Sequence, residues 1–254
     1  SICFKTGIVG LWAILRFLGA PLGDKSNTKV CMPKWILDSH ISVKREFLSS
    51  LCGSECSAIR WDGKYPDRPI LPFSKVESLS GSGHLYANSL ISMFQDFGVK
   101  SNLYVRDYVW RKDGAKSLQF IISINRSRNN LINFLSNVNY RYAVKKRSAG
   151  LHVLEYLKWL NIKLNQKTGL FSEVNKSVGE VGSKQTSLIY KMHKGVVENW
   201  ASMGVEKLRL APADKIPAYS YWIKEKIESL SAGLIWDDVE YIEPIVLSDV
   251  RDIT

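Results

Sequence analysis

The sequence lacks any run of eighteen apolar residues, so no segment predicts a helix that crosses a membrane. The apolar stretch from Gly7 to Leu18 is too short to span, and it carries Arg16. It also lacks the small-residue cleavage site of a signal peptide. We therefore predict a mostly buried core helix there, and we expect no membrane partner.

Cysteine and histidine are scarce and scattered. The four cysteines form no Cys-x-x-Cys pair and the four histidines lie far apart, which argues against a zinc site. Cys52 and Cys56 are four residues apart on a predicted helix, a spacing unsuited to a mutual disulfide. Reduced, buried cysteines are typical of an intracellular protein, and we predict a cytoplasmic location.

Acidic residues are outnumbered: 35 Lys and Arg face 24 Asp and Glu, for a net charge of +11. Residues 205–254 hold 6 basic and 10 acidic residues, a balance of −4, so the remainder of the chain carries +15. A basic body favours a polyanionic partner, most simply nucleic acid. By charge alone, an ordinary soluble basic protein is an equally good interpretation.

Residues 1–140 predict an α+β pattern with an antiparallel sheet. Apolar periodicity indicates helices from Ser42 to Ser54, Leu85 to Phe97 and Asn129 to Val138, with Gly98 closing the second. Residues 66–72 contain prolines and predict an irregular loop. The β-rich runs 99–112 and 116–124 flank Asp113-Gly114, a strong hairpin signal.

The predicted hairpin interleaves cations with aromatic residues. Tyr104, Arg106, Tyr108 and Trp110 share one parity, so they lie on one sheet face if the strand has no bulge. A cationic and aromatic face suits the major groove of DNA, which admits a two-stranded ribbon. Taken alone, the pattern favours an ordinary solvated face.

The chain after residue 150 predicts helices. Leu151 to Leu164 is amphipathic, and residues 185–203 have the outline of a helix-turn-helix, which many helical pairs share. Two short β-like runs end the chain. We divide it into a first domain at 1–150, a helical DNA-binding module at 151–218, and a helix with a β tail at 219–254.

The helix that ends near Ser54 has small residues along one stripe. Ser50 and Ser54 are four apart beside Gly53, a spacing that allows another helix to approach closely, and Glu55 follows at the helix end. A second such helix would bring two carboxylates together, and a hard cation such as Mg²⁺ would stabilise them and support phosphodiester hydrolysis. Taken alone, this stretch favours an ordinary amphipathic helix whose Glu55 is a solvated surface acid.

That stretch resembles the LAGLIDADG motif of homing endonucleases, in the variant found in many archaeal inteins: Phe47-Leu-Ser-Ser-Leu-Cys-Gly-Ser-Glu-Cys-Ser57. The order of segments around it is similar over about residues 7–145. Residues 170–225 resemble the helical insert that often follows such a core. Residues 235–254 resemble the segment in which an intein resumes its splicing domain.

The resemblance implies a LAGLIDADG-like core, an antiparallel saddle sheet with helices, followed by a small helical domain and a short β tail. It implies an endonuclease that hydrolyses double-stranded DNA with Mg²⁺. Glu55 is then the metal ligand and a catalytic residue, and Arg126 is the basic catalytic residue near the scissile phosphate. The face that pairs with a second motif comprises Phe47, Ser50, Leu51 and Ser54. The DNA contacts are assigned to Arg60, Lys64, Arg106, Trp110, Arg111, Lys112, Arg128, Lys145, Lys146 and Lys194.

The sequence departs from the family pattern at Ser50 and Cys56, where the motif has glycine, and it holds one motif where the family uses two. Three explanations are open: a partner or missing segment supplies the first motif, the chain pairs with its own copy, or cutting has been lost. A catalytically inactive DNA- or RNA-binding subunit is therefore the alternative function. A structural or protein-interaction subunit is a third.

Overall fold

The computed structural model describes residues 9–21, 23–62, 65–110, 114–210 and 214–230. In this part of the chain, helices alternate with a small antiparallel sheet. The helices are α1 Val9–Phe17, α2 Lys34–Leu37, α3 Ile41–Glu55, α4 Ser80–Gln95, α5 Arg128–Asn137, α6 Val144–Ile189, α7 Lys194–Ser202 and α8 Tyr219–Leu230. The strands are β1 Trp61–Asp62, β2 Tyr65–Pro66, β3 Ile70–Val76, β4 Ser101–Trp110 and β5 Lys116–Ile124.

The main sheet has the strand order β3-β5-β4, and both pairings are antiparallel. The predicted hairpin is confirmed, although its turn at 111–113 lies outside the described residues. Helix α4 is followed by Gly98 at φ +66°, the left-handed conformation expected of a residue that ends a helix. The LAGLIDADG-like form of this core stays a prediction, and the β tail falls outside the described residues.

The main core lies between the sheet and helices α3, α4, α5 and the first part of α6. Phe94, Phe134 and Tyr140 are among its largest fully buried side chains. The Tyr140 hydroxyl donates to the Ser57 carbonyl at 2.9 Å, and burial raises the pKa of Tyr140 above its ordinary value. This contact joins the end of α5 to the segment that leaves α3.

Helix α1 corrects the prediction of a buried helix over Gly7 to Leu18. None of its nine residues is buried, and Phe17 is 90% exposed. Apolar composition predicts burial only where another element covers the helix, and the described chain leaves α1 on the surface. None of the helices in the described ranges has the length and apolar character required to cross a membrane.

Strand β3 corrects the prediction of a loop over residues 66–72. The strand begins at Ile70 and includes Pro72, which pairs with Ile121 of β5. Proline cannot donate a hydrogen bond, but β3 is an edge strand, where one side of the backbone has no strand partner.

Helix α6 is longer than the predicted helix Leu151–Leu164, and the predicted boundary at 150 falls inside it. Its first part buries Val153 and Leu157 in the main core. Gly182 interrupts the helix with φ +79° and ψ 163°, a conformation that glycine adopts without steric cost. A second small core, formed by Phe171, Val174, Val197, Trp200 and Leu208, joins α6 to α7. The division into three domains stays a prediction.

Candidate nucleic-acid interface

The four residues predicted to pair with a second helix form one stripe of α3 but differ in burial. Phe47 and Leu51 are half-buried, whereas Ser50 and Ser54 are exposed. The close approach uses Gly53, where an added Cβ would lie 3.4 Å from the Ala143 Cβ just before α6. The tight small-residue contact is therefore made within the chain. Pairing of the Ser50 and Ser54 side with a second chain or a second copy stays a prediction.

Glu55 ends α3 with its side chain 44% exposed, and its Oε1 is 3.0 Å from the Lys25 Nζ. Among the residues that the structure describes, no three His, Cys, Asp or Glu side chains group as metal ligands. One carboxylate beside an ammonium group does not fit Mg²⁺, which takes six oxygen ligands. The Mg²⁺ prediction therefore depends on carboxylates from outside the described residues.

A β-bulge divides the predicted cationic and aromatic stripe of β4. Arg106 pairs with Gln119 but Val109 pairs with Ser117, so β4 holds one extra residue between these pairs. Trp110 then pairs with Lys116, on the opposite face from Arg106. The prediction of one shared face is wrong for Trp110, and the side chain of Tyr108 lies outside the described set.

The two faces of the main sheet differ in what covers them. Directly paired residues share a face, so Phe73 and Phe120 lie on the side where α4 packs, with Gly83 against the Phe120 ring. The other face mixes polar side chains with apolar ones, among them Pro72 and the buried Ile121, and its exposed side chains lie on β4. It carries Ser74, Asn102, Tyr104, Arg106 and Gln119. We call this second surface the open sheet face.

The remaining predicted basic contacts differ in their surroundings. Arg60 and Lys145 are exposed, and the exposed Lys194 pairs with Glu198 at 3.2 Å. Lys64, Arg111 and Lys112 lie outside the described residues.

Lys146 acts within the fold. Its Nζ donates to the carbonyls of Gly53 at 2.9 Å and Cys56 at 2.7 Å. A lysine in this position satisfies carbonyls that have no partner inside the helix, and so it closes the C-terminus of α3. Its ammonium group is therefore committed to α3, and we place Lys146 outside the candidate interface.

Residues 185–203 form the predicted helix–turn–helix outline, with α6 ending at Ile189 and α7 beginning at Lys194. His193 caps α7, because its Nδ1 accepts the Gly195 N–H at 3.2 Å. Val197 and Trp200 pack α7 on α6. Its DNA contact stays a prediction.

A cavity of about 490 Å³ lies beside the predicted Arg126 and Arg128. The other lining residues are Trp61, Tyr65, Pro66, Asn125, Ser127, Leu157 and Leu160. The Arg128 Nη1 donates to the Asn161 Oδ1 at 3.3 Å, and burial lowers the pKa of Arg128 from its ordinary value. Sequence reasoning missed Trp61 and Tyr65, because three segments distant in sequence meet only in the fold.

Three curated archaeal proteins are similar to the chain. A tRNA-splicing ligase RtcB from Pyrococcus furiosus is 28% identical over 184 residues, 72% of this chain and 18% of the ligase. The tRNA-splicing ligase RtcB of Methanopyrus kandleri is 25% identical over 91% of this chain and 23% of the ligase. The DNA-directed RNA polymerase subunit Rpo1N of Methanocaldococcus jannaschii is 28% identical over 70% of this chain and 14% of the subunit.

The chain thus spans about a fifth of the length of these ligases. No family model matches the chain, and no solved structure matches it. Two of these relatives are named as tRNA-splicing ligases and one as an RNA polymerase subunit. They are not named as homing endonucleases, so the assignment to the LAGLIDADG family and its intein relatives is wrong, and so is the endonuclease function.

Helix α3 shows why the motif led to the wrong family. Gly53 of this helix packs on Ala143 of the same chain. Any close contact of a helix requires small residues at the point of contact, so their presence does not indicate a particular family. The cleavage roles given to Glu55 and Arg126 came from the corrected function, and no contact in the structure tests them.

The matched stretches overlap, since 72% and 70% of one chain cannot be separate. Some residues of this chain are therefore similar both to a tRNA-splicing ligase and to an RNA polymerase subunit. A stretch shared by proteins with different names does not by itself indicate the chemistry of either.

Proposed function

We propose that this chain binds double-stranded DNA through the open sheet face. The observation that carries the proposal is the face itself, on which the exposed Tyr104 and Arg106 extend from an edge strand. Beside them lie Asn102 and Gln119, whose side chains accept or donate hydrogen bonds, and the buried Ile121, which pairs with Tyr104. Such a face offers contacts to phosphates and to base edges.

The groove dimensions favour DNA over duplex RNA. A two-stranded β-ribbon enters the major groove of B-form DNA, about 12 Å wide. The major groove of A-form RNA is deep and narrow, and side chains do not read it. The β4–β5 hairpin forms one side of the three-stranded sheet, since β5 also pairs with β3, and the edge strand β4 is the strand that reaches the groove. DNA is the better partner by shape, because side chains on β4 can enter its wide major groove.

Charge and the names of the relatives support nucleic acid as the class of partner, and the choice of DNA over RNA depends on the groove dimensions alone. The net charge of +11 favours a polyanion. The relatives' names refer to tRNA splicing and to DNA-directed RNA synthesis. A cytoplasmic location belongs to the proposal and is supported by Cys52 and Cys56, which are buried and unpaired by disulfide.

Arg106→Gln is expected to weaken binding to a DNA duplex about tenfold and to lower the slope of log affinity against log salt by about 1, because one cationic contact is lost. Fluorescence anisotropy with a labelled duplex over a salt series measures both quantities. A DNA duplex is expected to bind more tightly than an RNA duplex of the same sequence.

Arg147→Gln is the matched control, since it removes one exposed arginine from α6, away from the sheet. Its effect is expected to stay within about twofold, the contribution of weak long-range charge. Equal losses in the two variants, or an affinity that does not change with salt, would contradict the proposal.

A second candidate function is a part in joining RNA ends. It is favoured by the two tRNA-splicing ligases, whose similarity covers 72% and 91% of this chain. An assay with two tRNA halves tests it by the appearance of a joined product. Joined product from the chain alone would replace the DNA-binding proposal as the leading function.

A further inference from the structure

The cavity beside Arg126 and Arg128 is separate from the open sheet face. It lies between the β1–β2 hairpin, the loop from β5 to α5, and the side of α6 that carries Leu157 and Leu160. Its volume of about 490 Å³ falls within the range of small-ligand pockets.

Two guanidinium groups line this cavity, that of Arg126 in the loop before α5 and that of Arg128 at the first position of α5. None of its described lining residues is acidic, and within the described chain no carboxylate lies within ion-pairing distance of Arg126 or Arg128. The half-buried Arg128 instead donates to the neutral amide oxygen of Asn161. A partly buried cation without an opposite charge is costly, and a bound anion would offset this cost.

The orientation of Asn161 is fixed by a second contact. Its Nδ2 donates to the Asn129 Oδ1 at 3.2 Å, so its Oδ1 stays directed at Arg128. Asn161 can therefore hold the Arg128 guanidinium in place while the remaining N–H groups stay available. Guanidinium groups bind phosphate oxygens through paired N–H donors.

Two aromatic rings, Tyr65 and Trp61, also line the cavity. Tyr65 is 56% exposed, and the Arg126 guanidinium lies 5.6 Å from its ring centroid. Trp61 is held by a stack on Tyr219 with centroids 5.2 Å apart and by an edge contact with Tyr156 at 4.9 Å. The rings present a fixed apolar surface of the kind on which unpaired bases stack.

We propose that this cavity binds one unpaired nucleotide of a nucleic-acid strand. The phosphate lies between Arg126 and Arg128, and the base packs on Tyr65 and Trp61. The shared chemistry is that of a nucleoside monophosphate, free or within a strand. The inference rests on the proposed nucleic-acid binding for the source of the nucleotide, and it adds a site for a base outside the duplex.

The test uses the whole chain and isothermal titration with three probes: AMP, adenosine and inorganic phosphate. AMP is expected to bind more tightly than either probe that lacks one half of it. Arg126→Gln and Tyr65→Ala are each expected to weaken AMP binding about tenfold, through loss of a charged contact and of a stacking surface respectively. Both residues are exposed, so both variants are expected to fold.

Arg68→Gln is the matched control, because Arg68 is exposed on the segment between β2 and β3 and does not line the cavity. It is expected to leave AMP binding unchanged. An equal loss in Arg68→Gln and Arg126→Gln would overturn the site, since it would show only a general charge effect. Adenosine binding as tight as AMP binding would also overturn it.

A single-stranded oligonucleotide is expected to displace AMP, and failure to displace it would overturn the assignment to a strand. The two proposals are separable by Arg106→Gln, which is expected to weaken duplex binding and to leave AMP binding unchanged. If AMP binds in the expected pattern but no duplex binds, the open-face proposal fails and the cavity stands. If duplex binding depends on Arg106 but AMP does not bind, the cavity proposal fails.

Discussion

Asn130→Ala is expected to lower the free energy of unfolding by about 3 kcal/mol, because three hydrogen bonds of about 1 kcal/mol each are lost. The Asn130 Oδ1 accepts the Lys100 N–H at 2.6 Å. Its Nδ2 donates to the carbonyls of Lys100 at 2.9 Å and Asn125 at 2.8 Å. Urea unfolding followed by circular dichroism measures the change.

The expected loss of unfolding free energy is large because Asn130 is buried, with 5% of its surface exposed. Its side chain joins the residue before β4 to the residue after β5. Alanine would remove the side-chain partner of the Lys100 N–H, while the Lys100 carbonyl would keep its bond from the Asn125 N–H at 3.0 Å. The contact also holds Asn125, from which the chain passes through Arg126 into α5. The variant is therefore expected to disturb the cavity as well.

Asn133→Ala is the matched control on the same helix. Its Nδ2 makes one hydrogen bond, to the Gly98 carbonyl at 3.0 Å, and the side chain is only partly buried. The expected loss is about 1 kcal/mol. A loss for Asn130→Ala no larger than that of Asn133→Ala would show that the three bonds do not act as described.

Gly83→Ala is expected to destabilise the fold by about 2 kcal/mol through overpacking. The added Cβ would overlap the ring of Phe120, which is fully buried. This ring has little room to move, because it stacks on Phe73 with centroids 5.0 Å apart and contacts the His84 ring at 5.0 Å. Thermal and urea unfolding measure the change.

Gly81→Ala tests the same substitution two residues earlier in α4. An added Cβ there meets no atom within 4 Å. Alanine is a better helix former than glycine, so this variant is expected to stabilise the fold by up to about 1 kcal/mol. Changes of the same sign in both variants would contradict the close packing of α4 on the sheet.

Local patterns were sufficient for several elements. The Asp-Gly signal placed the hairpin of β4 and β5, and the helices predicted from Ser42 to Ser54 and from Asn129 to Val138 lie within one residue of α3 and α5 at each end. Turn chemistry and helical periodicity act over a few residues, so a sequence can reveal them. The function inferred from the α3 motif was wrong, because small residues at helical spacing serve any close helix contact.

The sequence by itself determined the basic charge of the chain, its hairpin and most of its helices, because these depend on composition and on neighbours a few residues apart. Only the tertiary structure decided that α1 is exposed, that the bulge turns Trp110 away from Arg106, and that Lys146 closes α3. It also brought Trp61, Tyr65, Arg126 and Arg128 around one cavity. Burial, register and convergence depend on contacts between distant segments, which no local pattern specifies.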